Sequence, residues 1–128
     1  MRFMMLMIPN GYSSASPGTL PDSKHVQEMN RYNDALGKAG VLLALDGLHP
    51  PSMGTRVRFG AGKPTVQDGP FTEAKEVLGG YWLVQVKSKE EAVEWARRCP
   101  ALDGDVIEIR QVQELTDFPE DVQRALIA

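Results

Sequence analysis

Apolar and polar positions along the 128-residue chain change period several times, and each change marks an element. From Arg2 to Ile8 nearly every side chain is apolar and Pro9-Asn10-Gly11 ends the run, the pattern of a strand buried on both faces. A loop rich in Ser, Pro and Gly follows to Pro21. Asp22 or Ser23 can cap a helix in which Val26, Met29, Tyr32, Leu36 and Ala39 recur at helical spacing, with Gly40 as the stop. Val41 to Leu45 is a β-rich run. Thr55–Phe59 and Pro64–Gln67 alternate around Gly60-Ala61-Gly62-Lys63, which predicts a hairpin with a glycine turn. Gly80 to Val86 reads as the next strand. Ser88-Lys89-Glu90-Glu91 is a capping box opening a helix that buries Ala92, Trp95, Ala96 and Cys99 and is halted by Pro100. Val106–Val112 is a last strand, and Asp117 with Pro119 starts a short helix through Leu126.

The order strand, helix, strand, hairpin, strand, helix, strand predicts an α+β fold: a ferredoxin-like split βαβ plan with a four-stranded antiparallel sheet and a β-hairpin insertion. Two helices cover only one sheet face. Yet Phe3, Met5 and Met7 alternate with Met4, Leu6 and Ile8, and Trp82, Val84 and Val86 alternate with Tyr81 and Leu83, so both faces carry apolar side chains. An open apolar face of this size implies a cover, most simply a second copy related by two-fold symmetry, giving a homodimer in the form of a dimeric α/β barrel. The length fits one domain over residues 1–128, with a C-terminal tail at 113–128 carrying the short helix.

A formal charge of −3, a pI near 5.4 and the absence of a Lys/Arg run argue against direct nucleic-acid binding, which needs a basic stripe. Cys99 is the only cysteine, so no intramolecular disulfide forms and a small buried apolar role is expected. The apolar run before Pro9 is shorter than the ~7 to 15 residues of a signal-peptide core, and no segment reaches the ~20 apolar residues of a membrane span. A soluble cytoplasmic protein without membrane attachment is the expectation.

Asp68 to Trp82 concentrates the candidate chemistry. Gly69-Pro70 makes Gly69 extended and fixes the proline φ near −65°, so the Asp68 carboxylate leaves its strand at a defined angle. That arrangement aims a polar group into a cleft, and it equally builds an ordinary Asx turn. Glu73 and Glu76 fit the first turn of a short helix capped by Thr72. Tyr81 and Trp82 read as core and interface packing. Arg56 and Arg58 share one face of the hairpin and could clamp a small anionic molecule, or form a solvated strand face. Glu108 and Arg110 share one face of the last strand; if Ile107 and Ile109 face the helices, that pair faces the open side as a binding element or dimer ion pair. Gly60-Ala61-Gly62-Lys63 is a turn and not a phosphate loop, because Pro64 follows the lysine. No metal-ligand spacing, nucleophile motif or cofactor fingerprint is present.

Asp68-Gly69-Pro70-Phe71, with Glu73-Ala74-Lys75-Glu76 and Gly79-Gly80-Tyr81-Trp82, resembles the DGPF signature of the YciI-related (YCII) proteins. The resemblance extends to Arg31-Tyr32-Asn33, Ala39-Gly40-Val41-Leu42, Gly47-Leu48-His49-Pro50, Arg56-Val57-Arg58-Phe59 and Glu94-Trp95-Ala96-Arg97-Arg98-Cys99-Pro100, so it covers nearly the whole chain. It implies a ferredoxin-like subunit and a homodimer. It also implies a His-Asp pair in lyase-like members, and for DGPF members a genomic association with extracytoplasmic-function sigma factors. Asp68 corresponds to the aspartate of that pair. The helix position where many relatives carry histidine is Met29 here.

His25, one helical turn before Met29, and His49, in the loop after the second strand, are the imidazoles that could substitute. Gly47 and Pro50-Pro51 favour a fixed exposed His49 able to act as general base or ligand anchor, a placement that also suits a surface histidine. Two function classes follow. One is a small-molecule enzyme with lyase- or isomerase-like acid/base chemistry, catalysed by Asp68 and His49 with Arg56, Arg58 and Arg110 binding substrate. The other is a noncatalytic ligand-binding or regulatory module linked to a sigma factor.

Overall fold

A computed structural model describes residues 1–128. The elements in order are β1 (Arg2–Ile8), α1 (Ser23–Lys38), β2 (Leu42–Gly47), β3 (Thr55–Gly60), β4 (Lys63–Asp68), β5 (Gly80–Gln85), α2 (Lys89–Arg97), β6 (Val106–Gln111) and α3 (Glu120–Ile127), with short 3-10 turns at Tyr12–Ser14, Pro51–Met53 and Leu115–Asp117. Four strands form one antiparallel sheet in the order β2-β5-β1-β6, and β3 and β4 form a separate hairpin. This is the split βαβ arrangement that the element order implies.

The caps act as the sequence suggests. Asp22 accepts a hydrogen bond from the His25 amide at 2.8 Å to start α1, and Ser88 accepts from the Glu91 amide at 3.1 Å to start α2. Gly40, with φ of +73°, ends the α1 region in the left-handed conformation that suits a residue without a Cβ. Phe3, Met5, Met7, Trp82 and Val84 point from the sheet toward Tyr32, Leu36, Ala92 and Trp95 of the helices, and all are buried. Tyr32 packs edge-on against Trp82 at 5.7 Å between centroids, and its hydroxyl donates to the Trp95 carbonyl at 2.7 Å. Burial pushes the Tyr32 phenol well above its usual value, so it remains a neutral donor. Burying a Trp side chain contributes roughly 4 to 6 kcal/mol of gross apolar stabilisation, an upper figure before entropy.

In β2 the pairing register shifts between Leu42 and Ala44, so that Leu42 lies opposite Val84 and Leu45 opposite Trp82. Both leucines therefore pack on the helix-covered core, which a regular alternation could not achieve for residues three apart. The shift turns Ala44 and Asp46 to the opposite face. That open face also carries Met4, Leu6, Tyr81 and Leu83, all half-buried, with Glu108 and Arg110 at its β6 side. Ile107 and Ile109 pack toward the helices, so the Glu108–Arg110 pair, 3.8 Å apart, stands on the open face.

The hairpin projects away from the main sheet, and Val57, Phe59 and Val66 are 51%, 82% and 70% exposed, so its apolar side is uncovered within one chain. Its base is fixed where the Gly69 amide donates to the Gly54 carbonyl at 2.8 Å. Arg56 lies 4.0 Å over the Phe71 ring, and Phe71 is buried. The helix expected after Thr72 is absent: Thr72 and Glu73 form a turn, closed by a backbone bond from Ala74 to Phe71 at 3.0 Å, and residues 74–79 are irregular apart from a bend at Glu76. Seven residues ahead of Gly79-Gly80 are too few for a helix to form on its own, and burial of Phe71 and Val77 fixes the segment in an irregular path instead. No helix is long and apolar enough to cross a membrane.

Two outcomes follow from this packing. A Cβ on Gly69 would overlap the Pro51 carbonyl, whereas one on Gly60 meets open space. Gly69→Ala therefore lowers urea-unfolding stability by about 1 to 3 kcal/mol, and Gly60→Ala changes it by less than ~1 kcal/mol. Cys99 packs against the core, and burial pushes its thiol up to about 11. At pH 8 a disulfide reagent should modify Cys99 far more slowly in the native chain than in denaturant. Equal rates would contradict the packing.

Candidate functional site

The stripe His25, Met29, Asn33 recurs every fourth residue of α1, so these side chains stack along one side of the helix, beside the Tyr32–Leu36 face that enters the core. Opposite them lie the ends of β1, β2 and β5. Between α1 and these strand ends opens a cavity of about 640 Å³. Its floor is Met7, Leu45 and Trp82; its rim is Asp46, Leu48, His49 and Tyr81; its roof is the loop around Tyr12, Thr19 and Leu20. Leu102 and Asp105, before β6, complete the wall.

Close backbone approach makes this junction. Gly79 donates to the Met7 carbonyl at 2.8 Å and accepts from the Leu48 amide at 2.9 Å, drawing β1 and the loop after β2 onto the start of β5. A Cβ on Gly80 would come within 2.8 Å of the Asp46 carbonyl, so only glycine permits the spacing. Three side-chain bonds then fix the polar groups. Trp82 Nε1 donates to Asn33 Oδ1 at 2.8 Å, setting the rotation of α1 against the sheet. Tyr12 donates to the Leu48 carbonyl at 2.6 Å and ties the roof to the rim. Tyr81, cross-strand from Asp46, donates to Asp46 Oδ2 at 2.7 Å. That bond to a carboxylate holds the Tyr81 phenol above its ordinary value, so it stays protonated and donating.

Both histidines of the chain line this one cavity. His49 is exposed at the rim and is followed by the fully buried Pro50, which anchors the loop that carries it. His25 is half-buried, and its Nδ1 is enclosed without a hydrogen-bond partner. Met29 lies between α1 and the sheet in the same cavity.

Asp68 stands elsewhere. Its carboxylate accepts from Thr55 Oγ1 at 2.9 Å across the base of the hairpin, and it does not line the cavity that holds the imidazoles. Gly69, Pro70, Phe71 and Thr72 border a second cavity, also about 640 Å³, whose other wall is Ser13, Ser14, Ser16 and Ser52. The Asp68–Trp82 segment thus contributes one end to each cavity, with Gly79–Trp82 at the histidines. The arginines are likewise outside: Arg56 covers Phe71, Arg58 donates to Gln67 at 3.4 Å and Arg110 faces Glu108. No three His, Cys, Asp or Glu side chains converge as a metal-ion site.

Asp46, Asn33 and Tyr12 are the residues that sequence patterns did not single out. Asp46 pairs with Tyr81 only because of the register shift in β2, and that shift leaves no mark in the periodicity. For Asn33 the signal was its place on the His25–Met29 stripe.

A model of the YCII-related domain matches residues 1–116. An uncharacterized protein of Rhizobium meliloti (strain 1021) is 33% identical over 76 residues, a stretch that is 59% of this chain and 61% of that protein. The match therefore spans about three-fifths of the relative's length, and the relative's description names no activity. With the family model running from the start of β1 to beyond β6, this chain belongs to the YCII-related domain family.

Proposed function

We propose that the protein is a small-molecule enzyme whose acid/base chemistry is carried out in the cavity between α1 and the strand ends, of a lyase- or isomerase-like kind. The observation that carries this reading is that both imidazoles of the chain line one cavity together with a Tyr81–Asp46 pair. Imidazole is the side chain that exchanges protons near neutral pH, and His49 at the mouth can reach a bound molecule and solvent alike. Tyr81 spends its one hydroxyl proton on Asp46 and so fixes the direction of that carboxylate. In this reading His49 moves the proton, and Asp46, with one oxygen held by Tyr81, supplies the carboxylate expected of Asp68. Asp68 then serves the hairpin base through Thr55.

The same reading makes the chain a homodimer. Met4, Leu6, Tyr81 and Leu83 form an apolar stripe on a face that no helix covers, and Tyr81 belongs both to that face and to the cavity. A second copy laid on it closes a dimeric α/β barrel.

A second reading, ligand binding without turnover, is favoured by Met29, a thioether at the place in α1 where the resemblance implies the histidine of a His-Asp pair. The two separate by experiment. Fragments found by thermal shift should lose their effect in His49→Gln and Asp46→Asn and keep it in Asp68→Asn, because bound ligand raises apparent stability by mass action. The reverse pattern would transfer the site to the hairpin base. For turnover, deuterium from solvent should enter a bound fragment's C–H positions with the wild type and at least ~100-fold more slowly with His49→Gln, as expected for loss of a general base. No exchange with any bound fragment would leave binding alone. For assembly, light scattering should give a dimer mass, and Leu83→Glu a monomer; a monomeric wild type at tens of micromolar would end the barrel proposal.

A further inference from the structure

The charges lining the cavity are of one sign. Asp46 and Asp105 contribute carboxylates, and no Lys or Arg side chain lines it. Asp105 is already engaged, since Oδ1 accepts from the Asn10 amide at 2.8 Å and Oδ2 from the Leu102 amide at 3.0 Å. It acts as a strut between two loops. Asp46 differs: Oδ2 is held by Tyr81 at 2.7 Å, whereas Oδ1 has no protein donor. A carboxylate oriented through one oxygen and free at the other presents what an ammonium group takes, by ion pairing and a charge-assisted hydrogen bond.

A further observation agrees with an ammonium carried on a hydrocarbon or aromatic body. The remaining wall is apolar, with Leu20, Val26, Met29, Leu45 and Leu48 able to receive a hydrocarbon or aromatic body. An anionic ligand held by Arg56, Arg58 and Arg110 finds no support here, because the three guanidiniums are spent on Phe71, Gln67 and Glu108 away from the cavity.

We infer that the cavity takes an organic amine: an ammonium group on an apolar or aromatic body, with Asp46 binding the charge. A carboxylate or phosphate in the same place meets Asp46 and Asp105 with no cation to offset them. The inference rests on the cavity being the functional site, and it selects the ligand class for that site.

Three probes of similar body and different charge test it: phenethylamine, phenethyl alcohol and hydrocinnamate. Each is titrated into the full-length protein at neutral pH and low salt, with amide NMR shifts reporting both affinity and location. Phenethylamine should bind at least ~10-fold more tightly than hydrocinnamate, with shifts at His25, Asp46 and His49. Asp46→Asn, which keeps the shape, should bring that ratio close to one, and Arg58→Ala should leave it unchanged. Hydrocinnamate binding at His49 as tightly as the amine overturns the amine assignment while leaving the site in place. A preference that survives Asp46→Asn also overturns it. Shifts confined to Ser13, Ser52 and Phe71 place binding in the other cavity and end both readings, as does the absence of binding by every probe.

Discussion

The Trp82 indole sets the geometry on which the rest of the molecule depends. It stands in the central strand β5, opposite Met5 on one side and Leu45 on the other, so its position is fixed by two ladders at once. Its ring meets Tyr32 edge-on and its Nε1–H reaches Asn33, both on α1. A large apolar body with one polar edge thereby locks the helix to the sheet in translation and rotation. Rotation is what matters for chemistry: with Asn33 held, Met29 and His25, one and two turns earlier on the same stripe, face the strand ends. A core contact and the placement of candidate functional groups are one constraint.

The neighbouring residue takes the opposite side. Tyr81 turns to the open face and is bound to Asp46 across the strand pair, so the two adjacent aromatics carry different duties. Trp82 joins sheet to helix. Tyr81 joins the sheet's uncovered face to the mouth of the cavity. Gly79 and Gly80, just before them, leave room for this junction: a Cβ on Gly80 would meet the β2 backbone at Asp46, and one on Gly79 would meet the Pro9 ring after β1. The cavity exists because this junction is tight on its backbone side and lined by side chains on the other.

Element order and type were legible because they rest on local signals: the apolar run closed by Pro9, the caps at Asp22 and Ser88, the glycine turn at 60–62. The short helix expected after Thr72 failed because buried Phe71 and Val77 anchor that segment from outside it, a tertiary effect overriding a local preference. The proposed pairing of Asp68 with His49 drew on a resemblance and on loop position. The folded chain gives Asp68 to Thr55 and seats His49 with His25, because β4 belongs to a hairpin that leaves the main sheet.

By itself, the sequence determined the ferredoxin-like α+β plan, the apolar character of both sheet faces and the family, since each is written in residue type and spacing along a contiguous stretch. Only the tertiary structure decided which polar groups meet. Asp46 reached Tyr81 through a one-residue register shift in β2 that also lets Leu42 and Leu45 share the core. The balance of packing on two faces sets such a shift, and that balance depends on contacts between residues far apart in the chain. Periodicity within one strand carries no record of it.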